Sequence, residues 1–143
     1  MEAKRVTEKH ELDAAFQIRK TVFVEEQGVP LEDEIDEHEE QAEHILVYAD
    51  NQPVGTGRLR IVNGVAKLER ICILPSHRKH GLGKVIIRSL EEIAQAEGVS
   101  QAKLHAQTHA EGFYQKLGYA TASPVFMEDG IPHVLMVKDL AGE

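Results

Sequence analysis

At 143 residues, with 42% hydrophobic and 28% charged residues, the chain is sized for one domain with a real core and lacks the composition of disorder. A formal net charge of −8 speaks against nucleic acid as the main partner, and a single cysteine, Cys72, excludes an internal disulfide or a cysteine-rich zinc cluster. No run approaches the ~18 apolar residues of a membrane span, and no apolar stretch follows Met1–Arg5 as in a signal peptide, so a cytoplasmic protein without a membrane partner is expected.

A short strand is expected near Lys4–Thr7, with Thr7 a candidate cap for the next element. Leu12, Ala15, Phe16, Arg19, Val22 and Phe23 recur at helical spacing and predict a first helix to about Glu25, ended by Gly28 and Pro30. The acidic stretch after Pro30 reads as irregular, with one turn of helix near Ile35–Glu40. Ile45–Tyr48 is a strand, and Asp50-Asn51-Gln52-Pro53 turns into a second one, Val54–Val62. Asn63-Gly64 is a strong hairpin signal joining it to Val65–Leu74. The run Ile71-Cys72-Ile73-Leu74 predicts a strand covered on both faces.

Leu82, Val85, Ile86, Ser89, Leu90 and Ile93 then mark an amphipathic helix closed near Gly98. Lys103–Gln107 is a strand. Ala110, Phe113, Tyr114 and Leu117 form a short helix stopped by Gly118, and His133–Lys138 is a final strand. With no linker, repeat or low-complexity tract, one domain over 1–143 is expected. The order is βα, a meander of three antiparallel strands, then αβαβ, an α+β domain with a mixed sheet.

Charge is unevenly spread. Residues 21–57 hold eleven carboxylates and no Lys or Arg, whereas 58–88 hold eight basic residues and one acid, Glu69. The acidic run Glu32–Glu43 is read first as a solvated surface loop, and second as a field that steers a cationic amine. It lacks the D-x-[DN]-x-[DN]-G spacing of a calcium loop, so no metal is expected.

The chemistry centres on the passage from strand to helix. After Pro75, the segment Arg78-Lys79-His80-Gly81-Leu82-Gly83-Lys84 opens the long helix. A helix N-terminus leaves N–H groups unpaired and carries partial positive charge. Glycines at 81 and 83 let a phosphate approach the backbone, and Arg78, Lys79 and Lys84 add full charges. The segment is not a P-loop, because G-x-x-x-x-G-K-[ST] is absent. It is not a dinucleotide fingerprint either, because Ile86 stands where a third glycine belongs.

The pattern R-x-x-G-x-G after an apolar strand, with Gln107-Thr108-His109-Ala110-Glu111-Gly112-Phe113-Tyr114-Gln115-Lys116-Leu117-Gly118-Tyr119 about thirty residues on, resembles the Gcn5-related N-acetyltransferase (GNAT) family. Arg19–Gln27, with Val29-Pro30 and the acidic run after it, resembles its ElaA-like branch. The resemblance implies a mostly antiparallel sheet, splayed at the strand that binds pantetheine and flanked by helices. It implies acetyl-CoA as co-substrate, with the pyrophosphate on the loop matched by Lys79, His80, Gly81, Leu82, Gly83 and Lys84 and with Arg78 at its entrance. The pantetheine arm would pair with Ile71, Cys72 and Ile73. Gln107 stands where the family has asparagine, and Tyr114 falls at the position of the general acid.

The implied activity is transfer of an acetyl group to a primary amine by direct attack. The acceptor is a small molecule or a protein amine, and the protein is a monomer or a homodimer. Such chemistry needs a proton acceptor, an oxyanion donor and a means of releasing thiolate. The amide of Ile73 is the expected oxyanion donor. Glu69 is the candidate base, with a salt bridge to Arg58 or Arg60 as the competing reading. His105 and His44 are secondary candidates for the base. Cys72 reads as a buried small hydrophobe. The alternative function is a module that binds coenzyme A as a sensor or scaffold with little or no turnover.

Overall fold

The computed structural model describes residues 2–78 and 81–140. Eight strands join one sheet in the order β1-β2-β3-β4-β5-β8-β6, with β7 also on β8. Strands β1 (Glu2–Arg5), β2 (Glu43–Ala49), β3 (Gln52–Val62) and β4 (Val65–Ile73) form an antiparallel meander. Strand β5 (Gln101–Gln107) runs parallel to β4, and β6 (Ala120–Thr121), β7 (Phe126–Glu128) and β8 (Ile131–Asp139) complete the sheet antiparallel to their neighbours.

The expected mixed sheet is therefore present, with a single parallel pair among the described strands. Turns fall where the sequence puts them: Asp50 and Asn51 at φ 52° and 64°, and Asn63 and Gly64 at 53° and 77°. Both central residues of each turn have positive φ, the conformation that two-residue hairpins favour. Three local details differ from expectation. The first strand ends at Arg5, and Thr7 is not the cap of helix α1 (Lys9–Arg19). The Glu11 carboxylate instead turns back to accept the N–H groups of Thr7 and Glu8, at 2.9 and 3.0 Å. The turn of helix in the acidic stretch is α2 (Leu31–Glu34), earlier than Ile35–Glu40.

Past Arg19 the first helix widens into a π-helix, Lys20–Glu26, whose end is marked by the Gln27 N–H donating to the Val22 carbonyl. Long π stretches are rare and cluster at functional sites. This one aims Glu26 and Gln27 toward the sheet.

Alternation along the central strands feeds two cores. Helix α3 (Leu82–Ala96) buries Leu82, Ile86, Ile87, Leu90 and Ala94 against Ala66, Leu68, Ala102, Leu104 and Ala106. On the other face Ala15, Ile18 and Val22 cover Leu46 and Cys72. Each fully buried Leu or Ile is worth about 1.5–3 kcal/mol, so α3 is firmly seated. Helix α4 (Glu111–Lys116) comes after β5 and ends at Gly118, φ 99°. No helix among the described residues is long and apolar enough to cross a membrane.

The acidic stretch is only partly the solvated loop expected. Glu32, Asp33, Glu37 and Glu40 are exposed, but Glu34 and Glu39 are buried. The buried guanidinium of Arg19 binds Glu34 at 2.7 Å and both oxygens of Glu39 at 2.9 and 2.8 Å. Buried Arg58 binds both oxygens of Asp36, at 2.8 and 3.1 Å. Taking such charges out of water is costly unless they are paired and hydrogen-bonded. Each arginine here is, so the segment is pinned to α1 and β3 by ion pairs.

Candidate active site

The sheet opens between β4 and β5. Their parallel pairing covers only Ala66–Leu68 with Ala102–Leu104. Beyond Leu68 the two strands part, because β4 is bent by a bulge. Thr56 faces Cys72 and Arg58 faces Glu69, so Gly57 opposes two residues, and Arg70 sits at φ 55°. A non-glycine residue there is uncommon and costs backbone energy, which fits a functional bend. Gly57 is required opposite it, since a Cβ would stand 2.7 Å from Cγ2 of Ile86.

The resulting V is a cavity of about 610 Å³, lined on one side by Ile71, Cys72 and Ile73 and on the other by His105, Gln107 and Tyr114. The Leu74 N–H donates to Val54 at 2.8 Å, which puts Leu74 in the hydrogen-bonded phase with β3. One residue earlier, Ile73 therefore turns its own N–H and C=O toward the V. Its carbonyl accepts from Nε of Arg78 at 3.0 Å. Cys72 is buried on the α1 face, and burial pushes its thiol pKa up, so it is an inert hydrophobe as expected.

At the open end of the V, α3 begins at Gly81, φ 76°, with open space where a Cβ would be. Leu82, Gly83 and Lys84 form the first turn, with Lys84 exposed. Their amides have no carbonyl four residues earlier to bond within the helix. Lys79 and His80 lie outside the described residues. Arg78 is held more tightly than the sequence suggests: it forms a two-pronged pair with Glu26 of the π-helix, at 2.7 and 2.6 Å. Gln107 also reaches across the opening. Its amide donates to Oε1 of Gln27 at 3.1 Å, and its oxygen lies 2.7 Å from Nε2 of His109.

Tyr114 packs edge-on against Phe113 and Tyr119, with centroids at 5.0 and 6.1 Å. Its hydroxyl makes no hydrogen bond to another described residue, and burial pushes its pKa up to about 12. Glu69 is in the cavity wall but is not free. Arg58 (2.8 Å), Arg60 (2.7 Å) and Lys67 (3.3 Å) surround its carboxylate. Burial alone would raise its pKa, but these cations hold it down to about 2. The salt bridge is what the structure contains. His44 is buried away from the cavity, with Nε2 2.9 Å from the Glu39 carbonyl and its pKa lowered by burial.

His105 is in the wall, with Nδ1 2.9 Å from Oε1 of Glu128. Glu128 went unnoticed in the sequence because β7, at three residues, is too short to show a period. The π-helix went unnoticed as well: its apolar residues fit a 3.6 period as readily. Among the described residues no group of three His, Cys, Asp or Glu side chains is placed to hold a metal ion.

The chain as a whole is similar to known proteins. Residues 8–140 match the Acetyltransferase (GNAT) domain. The chain is 58% identical over 144 residues to YyaT of Bacillus subtilis (strain 168), covering 99% of this chain and 97% of that one. The crystal structure of an acyl-CoA N-acyltransferase from Pseudomonas aeruginosa superposes with a TM-score of 0.87 at 26% identity, covering 96% of this chain and 99% of that one. Escherichia coli ElaA superposes with a TM-score of 0.87 at 25% identity and the same two coverages. The chain thus belongs to the GNAT family of acetyltransferases and is an acyltransferase.

Proposed function

We propose that the protein transfers the acetyl group of acetyl-CoA to a primary amine by direct attack. One observation carries this reading: the Ile71–Ile73 edge of β4 turns backbone N–H and C=O groups into a V, at whose open end a helix begins without a Cβ. An extended arm with amide groups can add to that edge as a strand does. An anion joined to the arm meets the first-turn amides of α3 and Lys84. Coenzyme A has both parts, and the residues present fit it.

In the transfer itself the amine nitrogen attacks the thioester carbon, and the Ile73 amide receives the developing oxyanion. As the C–S bond breaks, sulfur leaves with the electron pair. Tyr114, protonated throughout the neutral range, donates a hydrogen bond to it. Glu69, held at a pKa of about 2, is a poor proton acceptor. Its role in this reading is to fix β3 and β4 at the bulge.

The test combines binding and turnover. Saturating coenzyme A should raise the melting temperature, since ligand at 100 times its Kd adds about 2.7 kcal/mol. Thiol release from acetyl-CoA is then measured with spermidine, glucosamine, kanamycin and a lysine peptide. No thermal shift would refute the site. A shift with no amine acetylated would make the protein a sensor or scaffold for coenzyme A.

A further inference from the structure

Beside the closed end of the V stands a group of side chains with no part in coenzyme A binding or thiolate release. Ala102, Leu104 and Ala106 of β5 face α3, so Lys103, His105 and Gln107 project from the opposite face. Glu128 bridges two rings there: Oε1 is 2.9 Å from Nδ1 of His105, and Oε2 is 3.6 Å from Nε2 of His133. His133 is anchored in turn, its Nδ1 lying 2.7 Å from the Ile131 carbonyl. Phe126 fills the space between, edge-on to His105 at 5.0 Å and stacked with His133 at 6.1 Å. His105 is thus fixed at Nδ1 and packed on one side. Its Nε2 has no partner among the described residues, and His105, Glu128 and His133 all line the cavity.

We propose that His105 is the proton acceptor for the attacking amine, positioned by Glu128. The inference rests on the acetyl-transfer reading and deepens it. Three observations converge. An arm lying along β4 from the α3 end points its reactive end toward the closed end of the V, where Leu68 still pairs with Leu104. His105 is the next residue on β5. A carboxylate at Nδ1 fixes that nitrogen as the donor, so the lone pair is on Nε2, and it stabilises the imidazolium once a proton arrives.

Of the other carboxylates of the cavity, Asp129 is exposed at the β7–β8 turn, and the remaining three are already held by strong cations. Arg60 and Arg58 hold Glu69, Arg19 holds Glu34, and Arg78 holds Glu26. The titratable groups around His105 are Glu128 of β7, Asp129 from the β7–β8 turn, His133 from β8, Lys67 and Glu69 from β4, and Lys103 on its own strand.

The step balances without a co-reactant. An acceptor ammonium gives one proton to Nε2 of His105. The freed lone pair forms the N–C bond, the carbonyl π pair moves to oxygen, and its return expels sulfur with the C–S pair. The second nitrogen proton goes to the thiolate, and His105 releases its proton to solvent. The products are an amide, coenzyme A thiol and one proton.

The experiment compares wild type with His105→Gln, Glu128→Gln and His133→Gln, using acetyl-CoA and whichever of spermidine, glucosamine, kanamycin and the lysine peptide responds best. His105→Gln should lower kcat/KM for the amine by roughly 10²–10³-fold and abolish its acidic limb, with coenzyme A affinity unchanged. Glu128→Gln should lower it by about tenfold. Long-range ¹H–¹⁵N spectra of wild type above pH 8 should show His105 protonated at Nδ1, and Glu128→Gln should shift it toward the Nε2-protonated form.

Activity of His105→Gln within threefold of wild type, with the same acidic limb, overturns the proposal while leaving acetyl transfer standing. So does a limb that survives His105→Gln and vanishes in His133→Gln, or a wild-type His105 protonated at Nε2. A wild type that binds coenzyme A and acetylates none of the amines overturns both readings together.

Discussion

The ring of Phe113 lies over Gly83 so closely that a Cβ on Gly83 would stand 2.9 Å from its Cζ. Gly83 therefore makes room for a cavity-lining ring of this protein as well as for the approach of a ligand, and the ring, itself 40% exposed, is able to swing away. Gly83→Ala should gain about 0.5–1 kcal/mol of helix preference and lose some of it in moving Phe113, so its melting temperature should stay within a few degrees. Coenzyme A affinity should fall, because the displaced ring enters the space beside the cradle. Gly83→Ala with Phe113→Ala separates the two causes. Restored affinity in the double variant assigns the loss to the ring, and unrestored affinity assigns it to the backbone approach.

Glu69 should prove structural. Replacing it with Gln leaves Arg58, 1% exposed, short of a charged partner. Breaking one side of such a buried set costs about 3 kcal/mol, roughly 10 °C in melting temperature for a chain of this length. Below its melting temperature the variant should keep kcat within tenfold, and a deeper loss in a folded protein would restore Glu69 as base.

The pH dependence carries a definite sign. The folded pKa of Glu69, about 2, lies below its ordinary 4.5. Its stabilisation is present above pH 4.5 and is lost as pH falls toward 2. Asp36 and Glu39 are depressed too, while burial raises Glu34, whose effect has the opposite sign and falls above pH 4.5. Melting temperature against pH should fall between 4.5 and 2, less steeply in Glu69→Gln.

How much of the fold and site was legible in the sequence depends on where each signal is stored. Helix α3 was readable because its apolar stripe repeats at 3.6 over four turns, and the Asn63-Gly64 hairpin because two positive φ angles demand those residues. The bulge was not, since Arg70 adopts φ 55° with no glycine to announce it. The Glu69 salt bridge to Arg58 or Arg60 was an open reading across the hairpin, but His105 against Glu128 joins residues 23 positions apart on different strands, and no local period records such a pair. The cradle was readable from its glycines and basic residues, and the resemblance supplied the expectation for Tyr114. It did not supply the π-helix that sets Glu26 on Arg78.

The Glu26–Arg78 pair bears on affinity, because Arg78 can meet an incoming phosphate only as far as Glu26 releases it. Both partners are about 40% exposed, so the pair is worth no more than about 1 kcal/mol. Glu26→Gln should tighten coenzyme A binding by up to about fivefold at low salt, with the gain shrinking as salt is added. Titration calorimetry at two ionic strengths measures it, and weaker binding would mean that Glu26 positions Arg78 for the ligand.

Tyr114→Phe tests the departing side of the reaction. With its pKa pushed up to about 12, the phenol is a weaker acid than the departing thiol, whose pKa is near ~8.5. Full transfer of its proton would run uphill by about 3.5 units, or roughly 5 kcal/mol. Its contribution is then a charge-assisted hydrogen bond to sulfur, worth about 1.5–3 kcal/mol. Removing the hydroxyl should lower kcat by about 10–150-fold and leave coenzyme A affinity unchanged, because the ring still packs on Phe113 and Tyr119. A phenol with a pKa near 12 also predicts no alkaline limb in kcat below about pH 10. A limb near pH 8.5–9.5 that disappears in Tyr114→Phe would show instead that Tyr114 ionises in the working range and acts as a true acid. Unchanged kcat in the variant, with chemistry shown to be rate-limiting, would leave the tyrosine as packing alone.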